Sequence, residues 1–436
     1  RDVERSRGLG DVYKRQAEPF VKHSYLLKDP EDTARVFKEA FYIAGTGRPG
    51  PVLIDIPMDV QKSVIDFEYP EKCEIRSYKP TTKGNYVQVR RVMAALEEAE
   101  KPLICIGGGV FAAHAENEIR ELADLMQIPV ITTMMGISVF PDDDQLFCGM
   151  IGTHGVKMAN AAVNECDVLF LVGARVGDRA VKTPLALEKT TKIIHIDIDP
   201  AEIGKNIGAD LPLVGDAKLV LQQMTELAKP MKHDEWIAHI KTLGGERKYV
   251  EPAKGTVNPR VFIDRLAKKM PANVTVVADV GQNQIWTCTE YKFCKEGRLL
   301  TSGGMGTMGY SVPAAIGAKM ADNSRATVAI CGDGAFQMSF MELATAVQFG
   351  VDIKVVVMTN NRLGMVRELQ TNGYHDRQTA VFLDGSPDFI KLAEAYGIPA
   401  MRVYDDDTME KGVEMLAEHE GICLVEVVVD KDMPTL

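Results

Sequence analysis

The sequence lacks several features that would indicate whole classes of protein. No apolar run reaches the length of a membrane-spanning helix and no signal-peptide pattern is visible, so a cytoplasmic protein without a membrane partner is expected. The eight cysteines form no C-x-x-C pair, which disfavours zinc and redox motifs and favours free thiols in a reducing compartment. The net charge of −11 argues against nucleic acid as a partner.

What the sequence does contain is a regular alternation of strand patterns and helix patterns. Its 436 residues suffice for two or three domains. Apolar runs such as Val168–Val172, Thr275–Ala278 and Ile353–Met358 are typical of buried strands, and helical stretches separate them. The alternation predicts an α/β protein with doubly wound parallel sheets. Polar stretches near 78–83 and 244–258 are predicted linkers.

The most informative pattern follows two of the predicted strands. G-D-G at 332–334 follows one strand, Asn360 follows the next, and Ser339–Glu342 has the pattern of a capping box that opens the helix between them. Because the carboxyl ends of parallel strands meet at one sheet edge, we expect Asp333 and Asn360 to lie close together. A carboxylate and an amide oxygen suit Mg²⁺, and glycines let backbone N–H groups approach phosphates. Two ordinary strand-end turns are the alternative interpretation.

Together with other segments, this pattern resembles the thiamine diphosphate motif of the acetolactate synthase (acetohydroxyacid synthase) catalytic subunits. The matching segments are Gly47–Pro57, Gly281–Trp286, Ser302–Tyr310, Pro313–Gly317 and Leu363–Arg367. The resemblance implies three doubly wound, parallel-sheet domains of the thiamine diphosphate-enzyme type, the first one incomplete. It places the C-terminal part of a pyrimidine-binding domain at 17–75, a central FAD-binding-like domain at 80–245 and a diphosphate-binding domain at 258–436.

The resemblance implies an enzyme and a reaction. Acetolactate synthases are transferases that decarboxylate pyruvate and add the two-carbon unit to a second 2-oxo acid, pyruvate or 2-oxobutanoate, in branched-chain amino acid biosynthesis. Thiamine diphosphate, Mg²⁺ and FAD are the implied cofactors, and a homodimer or homotetramer with a small regulatory subunit is the implied assembly. Two alternatives stay open: a sister thiamine-dependent enzyme (pyruvate oxidase, glyoxylate carboligase or 2-oxo acid decarboxylase) and a non-catalytic nucleotide-binding subunit.

For the thiamine diphosphate site, the resemblance implies particular residues. Mg²⁺ would be held by the side chains of Asp333 and Asn360 and the carbonyl of Arg362. The implied cofactor-binding residues are Val280, Gly281, Gln282, Asn283, Gly306, Met308, Gly332, Gly334, Ala335, Gly364 and Met365. Relatives often have His in place of Asn283, but Asn can still bond a phosphate oxygen, so we expect a modest effect.

Met308 and Gly306 are the residues with an implied catalytic role. In the family, the side chain at Met308 bends the cofactor, and the carbonyl at Gly306 accepts a hydrogen bond from its pyrimidine amino group. An unbranched thioether fills irregular gaps well. An ordinary core methionine, one of 21 in the chain, is the alternative interpretation of Met308.

A second nucleotide site is implied in the central domain. Glycines that follow a strand allow a pyrophosphate to approach, although this is a weak signal by itself, and strand-end carboxylates suit ribose hydroxyls. The residues implied to bind FAD are Gly107, Gly108, Gly109, Met134, Ile151, Gly152, His154, Gly173, Ala174, Arg175, Asp178, Arg179, Asp197, Ile198, Asp216 and Ala217. Relatives usually have Arg-Phe-Asp-Asp-Arg at 175–179, so the Gly177 of this chain predicts weaker flavin binding.

Two departures fall at the implied substrate entrance. Leu369 stands where most relatives have Trp, and Met58 stands where they usually have Lys. In the family that Trp is associated with preference for 2-oxobutanoate and with herbicide binding. We therefore hypothesise a weak acceptor preference and herbicide insensitivity.

The two ends of the chain also depart from the family. Residues 1–16 are charged and do not match, so we interpret them as a stub outside the family sequence. The last residues stop where relatives continue into a C-terminal arm, so a fragment truncated at both ends is expected. The glutamate that activates the cofactor in relatives has no counterpart in this chain, and the fragment is expected to be inactive alone.

Overall fold

The computed structural model describes residues 15–245 and 249–436. Most of the predicted stub at 1–16, and part of the predicted linker at 244–258, lie outside these described residues. The described chain forms one two-stranded and two six-stranded sheets, and every strand pair in them is parallel. This confirms the predicted α/β class with doubly wound sheets, whereas the predicted domain boundaries stay predictions.

The N-terminal unit is a small strand–helix–strand arrangement. It contains β1 (His23–Leu26), α1 (Thr33–Gly45), β2 (Val52–Asp55) and α2 (Met58–Gln61). Asp29 accepts a hydrogen bond from the N–H of Glu31 and so caps a 3-10 turn that leads into α1. A small apolar cluster of Leu27, Val36 and Val60 joins the two helices to the sheet.

The central unit is a six-stranded sheet with helices on both faces. Its strands are β3 (Pro102–Ile106), β4 (Val130–Thr132), β5 (Phe147–Met150), β6 (Val168–Val172), β7 (Lys192–Asp197) and β8 (Leu211–Val214), in the spatial order β5-β4-β3-β6-β7-β8. Its helices are α3 (Tyr86–Glu98), α4 (Gly109–Ala112), α5 (Glu116–Met126), α6 (Lys157–Glu165), α7 (Pro184–Leu187), α8 (Ala217–Thr225) and α9 (Asp234–Leu243). Because successive strand residues face opposite sides, Ile194 and Ile193 belong to different cores.

The C-terminal unit repeats this architecture with a different strand order. Its strands are β9 (Thr275–Ala278), β10 (Arg298–Thr301), β11 (Thr327–Gly332), β12 (Lys354–Thr359), β13 (Ala400–Val403) and β14 (Cys423–Val428), in the order β10-β9-β11-β12-β14-β13. Its helices are α10 (Pro259–Lys269), α11 (Gln282–Glu290), α12 (Ser311–Ala321), α13 (Asp333–Phe336), α14 (Leu343–Gln348), α15 (Gly364–Gly373), α16 (Phe389–Ala395) and α17 (Asp406–Glu418). Alternate residues of β11, such as Ile330 and Cys331, enter the two cores on either side.

One local prediction is wrong. Ser339 does not cap a helix with its side chain, because its hydroxyl is buried without a hydrogen-bond partner among the described residues. A 3-10 turn at Phe340–Glu342 precedes α14 instead. Within the same described residues, no helix is both long enough and apolar enough to span a bilayer.

Candidate active site

The carboxyl ends of three neighbouring strands, β9, β11 and β12, meet at one edge of the C-terminal sheet. β10 lies on one side of β9, and the chain then crosses to the other side to form β11. The gap between β9 and β11 is therefore the topological switch point, where open α/β sheets bind ligands.

A pocket lies at this edge. It is lined by Val280, Gly281, Gln282, Asn283, Trp286, Met308, Gly332, Asp333, Gly334, Ala335, Met358, Asn360, Arg362, Leu363, Gly364, Met365 and Val366. The structure thus brings together every residue that was predicted for thiamine diphosphate or Mg²⁺ except Gly306. Trp286, Met358, Leu363 and Val366 were not predicted, although all of them except Met358 stand inside the motifs that carried the resemblance.

Asp333 is the one carboxylate among the described residues that line the pocket, and 2 % of its surface is exposed. Its Oδ2 accepts hydrogen bonds from the backbone N–H of Asn360 (3.1 Å) and Asn361 (2.6 Å), and its Oδ1 accepts one from Gly334 (2.8 Å). Burial raises the pKa of Asp333 to about 6, although these N–H groups oppose the shift. No arginine or lysine pairs with Asp333 in residues 15–245 or 249–436. This carboxylate is therefore suited to bind a cation.

The turn after β12 presents the second predicted metal ligand. The Oδ1 atom of Asn360 accepts a hydrogen bond from the N–H of Arg362 at 3.0 Å, which closes a side-chain turn. Asn361 has a φ of +54°, a left-handed conformation that Asn tolerates well. The guanidinium of Arg362 points away to Asp384, at 2.7 Å. Its carbonyl, and not its charge, is therefore the group available to a metal.

The amino end of α11 forms another wall of the pocket. Gly281 precedes the helix with a φ of +142°, which favours glycine, and the free N–H groups of such a helix end attract phosphate. The side chain of Asn283 is turned to the backbone, because its Nδ2 donates to the carbonyls of Asp279 (2.8 Å) and Ile330 (3.2 Å). Asn283 thus ties the ends of β9 and β11 together, and its predicted bond to phosphate stays a prediction.

A buried aspartate that sequence reasoning missed holds the loop of Met308. The carboxylate of Asp279 is fully buried and accepts hydrogen bonds from the N–H groups of Val280 (2.8 Å), Gly309 (3.0 Å) and Ser311 (2.7 Å). Met308 therefore stands next to an anchored residue. The signal available in the sequence was an Asp directly after the predicted strand Thr275–Ala278.

The glycine at 334 keeps the pocket open beside Met308. A Cβ atom there would lie 2.9 Å from Leu363 and 3.4 Å from the Cε of Met308. The space that the missing side chain leaves is bounded by apolar groups, and the pocket lining also contains polar groups of α11 and of Asp333. A cofactor with an apolar ring system and a diphosphate fits a lining of both kinds, and the donor set of Asp333, Asn360 and a carbonyl fits Mg²⁺.

The residues predicted for FAD all lie at the carboxyl edge of the central sheet, after the six strands β3 to β8. Glycines allow the ends of β3 and β6 to approach closely. A Cβ at Gly107 would lie 2.1 Å from the carbonyl oxygen of Gly173, and a Cβ at Gly109 would lie 2.7 Å from the Cα of Gly173. A Cβ at Gly108 would lie 3.1 Å from the Cβ of Met135. The first and third glycines are therefore required by packing between strand ends.

The two arginines of this edge are available to an anion. Arg175 and Arg179 are exposed, and in the described part of the chain neither guanidinium forms an ion pair. Between them Val176 has a φ of +44°, which is strained for a β-branched residue and fixes the direction of the loop. Free guanidinium groups at a glycine-lined sheet edge fit the diphosphate of a dinucleotide.

The other residues predicted for FAD lie at the same edge and differ in burial and in the contacts they form. Asp197 is nearly buried, and burial raises its pKa, while Asp216 uses a carboxylate oxygen to cap α8. Gly152 lies against the backbone of Arg179, because a Cβ at this glycine would lie 2.4 Å from the arginine carbonyl oxygen. Burial lowers the pKa of His154, and the carboxylate of Glu368 opposes that shift.

The residues predicted for the substrate lie outside the pocket lining. Leu369 on α15 and Met58 on α2 are both largely exposed, at 62 % and 63 %. Gly306 stands in the exposed loop before Met308 with a φ of +66°. The structure does not bring these three residues into the pocket.

Two domain families match this chain at the positions just described. Residues 89–224 match the thiamine pyrophosphate enzyme central domain, and residues 279–427 match the thiamine pyrophosphate enzyme C-terminal TPP binding domain. Curated relatives match along almost the whole chain. A probable acetolactate synthase large subunit from Methanocaldococcus jannaschii is 42% identical over 94% of this chain and 72% of its own length.

Other relatives carry the same name. An acetolactate synthase from Arthrospira platensis is 40% identical over 95% of this chain and 73% of its own length. The acetolactate synthase isozyme 3 large subunit of Escherichia coli is 36% identical over 94% of this chain and 74% of its own length. The chain belongs to the acetolactate synthase large-subunit family. This confirms the resemblance inferred from the motifs and disfavours both alternatives to it.

Proposed function

We propose that this protein is the catalytic subunit of an acetolactate synthase, which decarboxylates pyruvate and transfers the two-carbon unit to a second 2-oxo acid. The family membership supports this function, and so does the match to a thiamine pyrophosphate binding domain. The single observation that carries the proposal is the pocket in which Asp333, Asn360 and the amino end of α11 converge at the sheet switch point.

Thiamine diphosphate, when bound, supplies the electron sink that this decarboxylation and transfer require. The side chains of Asp333 and Asn360, with the carbonyl of Arg362, would hold Mg²⁺. The N–H groups at Gly281 and the first turn of α11 would bind the diphosphate. Met308, which lines the pocket and whose loop is anchored by Asp279, would contact the ring system.

FAD is proposed for the carboxyl edge of the central sheet. The free guanidinium groups of Arg175 and Arg179 support this part of the proposal, because they offer paired charge to a diphosphate. Gly107 and Gly109 keep the strand ends close, because a Cβ at either position would meet the backbone of Gly173. The role proposed for FAD is structural, as the resemblance implies.

Assembly and location complete the proposal. The E. coli relative is named a large subunit, which supports association with a smaller regulatory subunit and with further copies of this chain. A cytoplasmic location is proposed because all eight cysteines are free, and six of them are buried.

The test is a product assay on the full gene product with pyruvate, thiamine diphosphate, Mg²⁺ and FAD. Acetolactate is the expected main product, and replacement of Asp333 by Ala is expected to abolish it. The matched control is Asp322→Ala, which removes an exposed carboxylate of the same unit. Acetaldehyde, or acetyl phosphate formed with consumption of oxygen, would contradict the proposal and indicate a sister enzyme.

A further inference from the structure

The side chain of Gln282 connects a predicted metal ligand to a distant part of the chain. Its Oε1 accepts a hydrogen bond from the Nδ2 of Asn360 at 3.2 Å. Its Nε2 lies within hydrogen-bonding distance of the Oε2 of Glu368 (3.3 Å), the carbonyl of Met433 (2.9 Å) and the hydroxyl of Thr435 (3.2 Å). Because three acceptors surround the amide nitrogen, the amide oxygen must face Asn360.

Glu368 is the only charged group among these three acceptors. Its Oε2 also accepts hydrogen bonds from the N–H of Thr435, at 3.1 Å, and from the hydroxyl of the same residue. The carboxylate therefore joins α15 both to Gln282 on α11 and to the segment Asp430–Thr435. That segment is held from another side by the indole N–H of Trp286, which donates to the carbonyl of Pro434 at 3.1 Å.

The hydrogen bond from Asn360 to Gln282 determines the orientation of the Asn360 amide. With its Nδ2 bonded to Gln282, the Oδ1 of Asn360 must point the other way, towards the N–H of Arg362 and the pocket. Only an amide turned this way can offer oxygen to a cation. Gly364 makes room for the arrangement, because a Cβ there would lie 1.9 Å from the Oε1 of Gln282.

We infer that Glu368 is a positioning residue for the metal, which acts through Gln282 to fix the amide of Asn360 with its oxygen towards the cation. The inference rests on the proposed function and adds a residue that the sequence motifs did not assign. When a residue that hydrogen-bonds to a metal ligand is removed, metal affinity commonly falls by about 10- to 100-fold. The competing explanation is that Glu368 only fastens the segment Asp430–Thr435.

The test measures how thiamine diphosphate binding depends on Mg²⁺ concentration. Trp286 lines the pocket and is one of two tryptophans, so a Trp236→Phe background leaves it as the only indole reporter. In this background, Glu368→Ala is expected to raise the half-saturating Mg²⁺ concentration by about tenfold. Glu368→Gln keeps an oxygen at the acceptor position and is expected to stay close to the parent. Glu394→Ala, an exposed glutamate of α16, is the matched control and is expected to have no effect.

Two results would overturn the inference. A fastening role alone would lower the melting temperature of the cofactor-free protein in Glu368→Ala and leave the Mg²⁺ dependence unchanged. A Gln282→Ala variant with the Mg²⁺ dependence of the parent would show that Glu368 does not orient Asn360 through Gln282. If the parent itself shows no Mg²⁺-dependent binding of thiamine diphosphate, the proposed function fails as well, an outcome distinct from unaltered binding in Glu368→Ala.

Discussion

The Oδ2 atom of Asp279 lies 2.7 Å from the backbone nitrogen of Ser311, 32 residues further along the chain. The other carboxylate oxygen accepts from Gly309, so one buried side chain holds the first and third residues after Met308. In the described residues, no other carboxylate accepts a hydrogen bond from this loop. The position of Met308 therefore depends on a residue at the end of β9.

Replacement of Asp279 by Ala is expected to release this loop. Three N–H groups would lose their acceptor, and the buried one, that of Ser311, would by itself cost about 1–3 kcal/mol if left unsatisfied. We expect a lower free energy of unfolding in urea, faster proteolysis within 302–311 and weaker binding of thiamine diphosphate.

Asp322→Ala is the matched control for this prediction. Asp322 is an exposed carboxylate that accepts hydrogen bonds from Ser324, so its removal should change stability by no more than about 0.5 kcal/mol. Equal effects of the two substitutions would contradict the anchoring role of Asp279.

Much of the fold could be predicted from the sequence because its strands are short apolar runs buried on both faces. The predicted strands Val168–Val172 and Thr275–Ala278 coincide with β6 and β9. The pocket could be predicted for a similar reason: Asp333 and Asn360 follow neighbouring parallel strands, and topology alone then brings them to one edge.

The contacts that could not be predicted are side-chain bonds between elements far apart in the chain. The bond of Gln282 to Thr435 spans 153 residues, and nothing local in either segment indicates it. The capping box at Ser339 failed because tertiary packing, not the local pattern, decided the conformation there. The glycines at 107 and 109 were interpreted as ligand contacts, whereas the structure shows that they also meet the backbone of Gly173.

This packing makes a stability prediction for Gly107. A methyl group at that position would lie 2.1 Å from the carbonyl oxygen of Gly173, and backbone cannot move aside as a flexible side chain does. Gly107→Ala is expected to destabilise the protein by about 1–3 kcal/mol, measured by urea denaturation of the flavin-free protein. In the matched control Gly177→Ala, the added Cβ would have no atom within 4 Å, so stability should be unchanged. A Gly107→Ala variant as stable as the control would contradict the close approach of β3 and β6.

The exposed arginines after β6 allow a test of the flavin site. Arg175→Ala and Arg179→Ala each remove one charged donor, and a hydrogen bond to a charged group contributes about 1.5–3 kcal/mol. We therefore expect each substitution to raise the dissociation constant of FAD by at least about tenfold, measured by flavin fluorescence during titration. Arg90→Ala, an exposed arginine on α3, should leave FAD affinity unchanged. If all three variants bind FAD equally well, the flavin lies elsewhere.

The last prediction concerns the choice of acceptor. Leu369 follows Glu368 on α15, and its side chain is 62 % exposed, so a larger ring can be placed there without disturbing the core. Leu369 lies outside the pocket lining, so its place at the substrate entrance stays a prediction from the resemblance. At such an entrance an aromatic wall would contact the extra methylene of 2-oxobutanoate, and one methylene is worth at most about 1–3 kcal/mol. We expect Leu369→Trp to raise the ratio of acetohydroxybutyrate to acetolactate when pyruvate and 2-oxobutanoate compete. Val347→Trp on α14 adds the same ring to another exposed position and should leave the ratio unchanged. A parent enzyme that already prefers 2-oxobutanoate strongly would show that Leu369 does not weaken the preference.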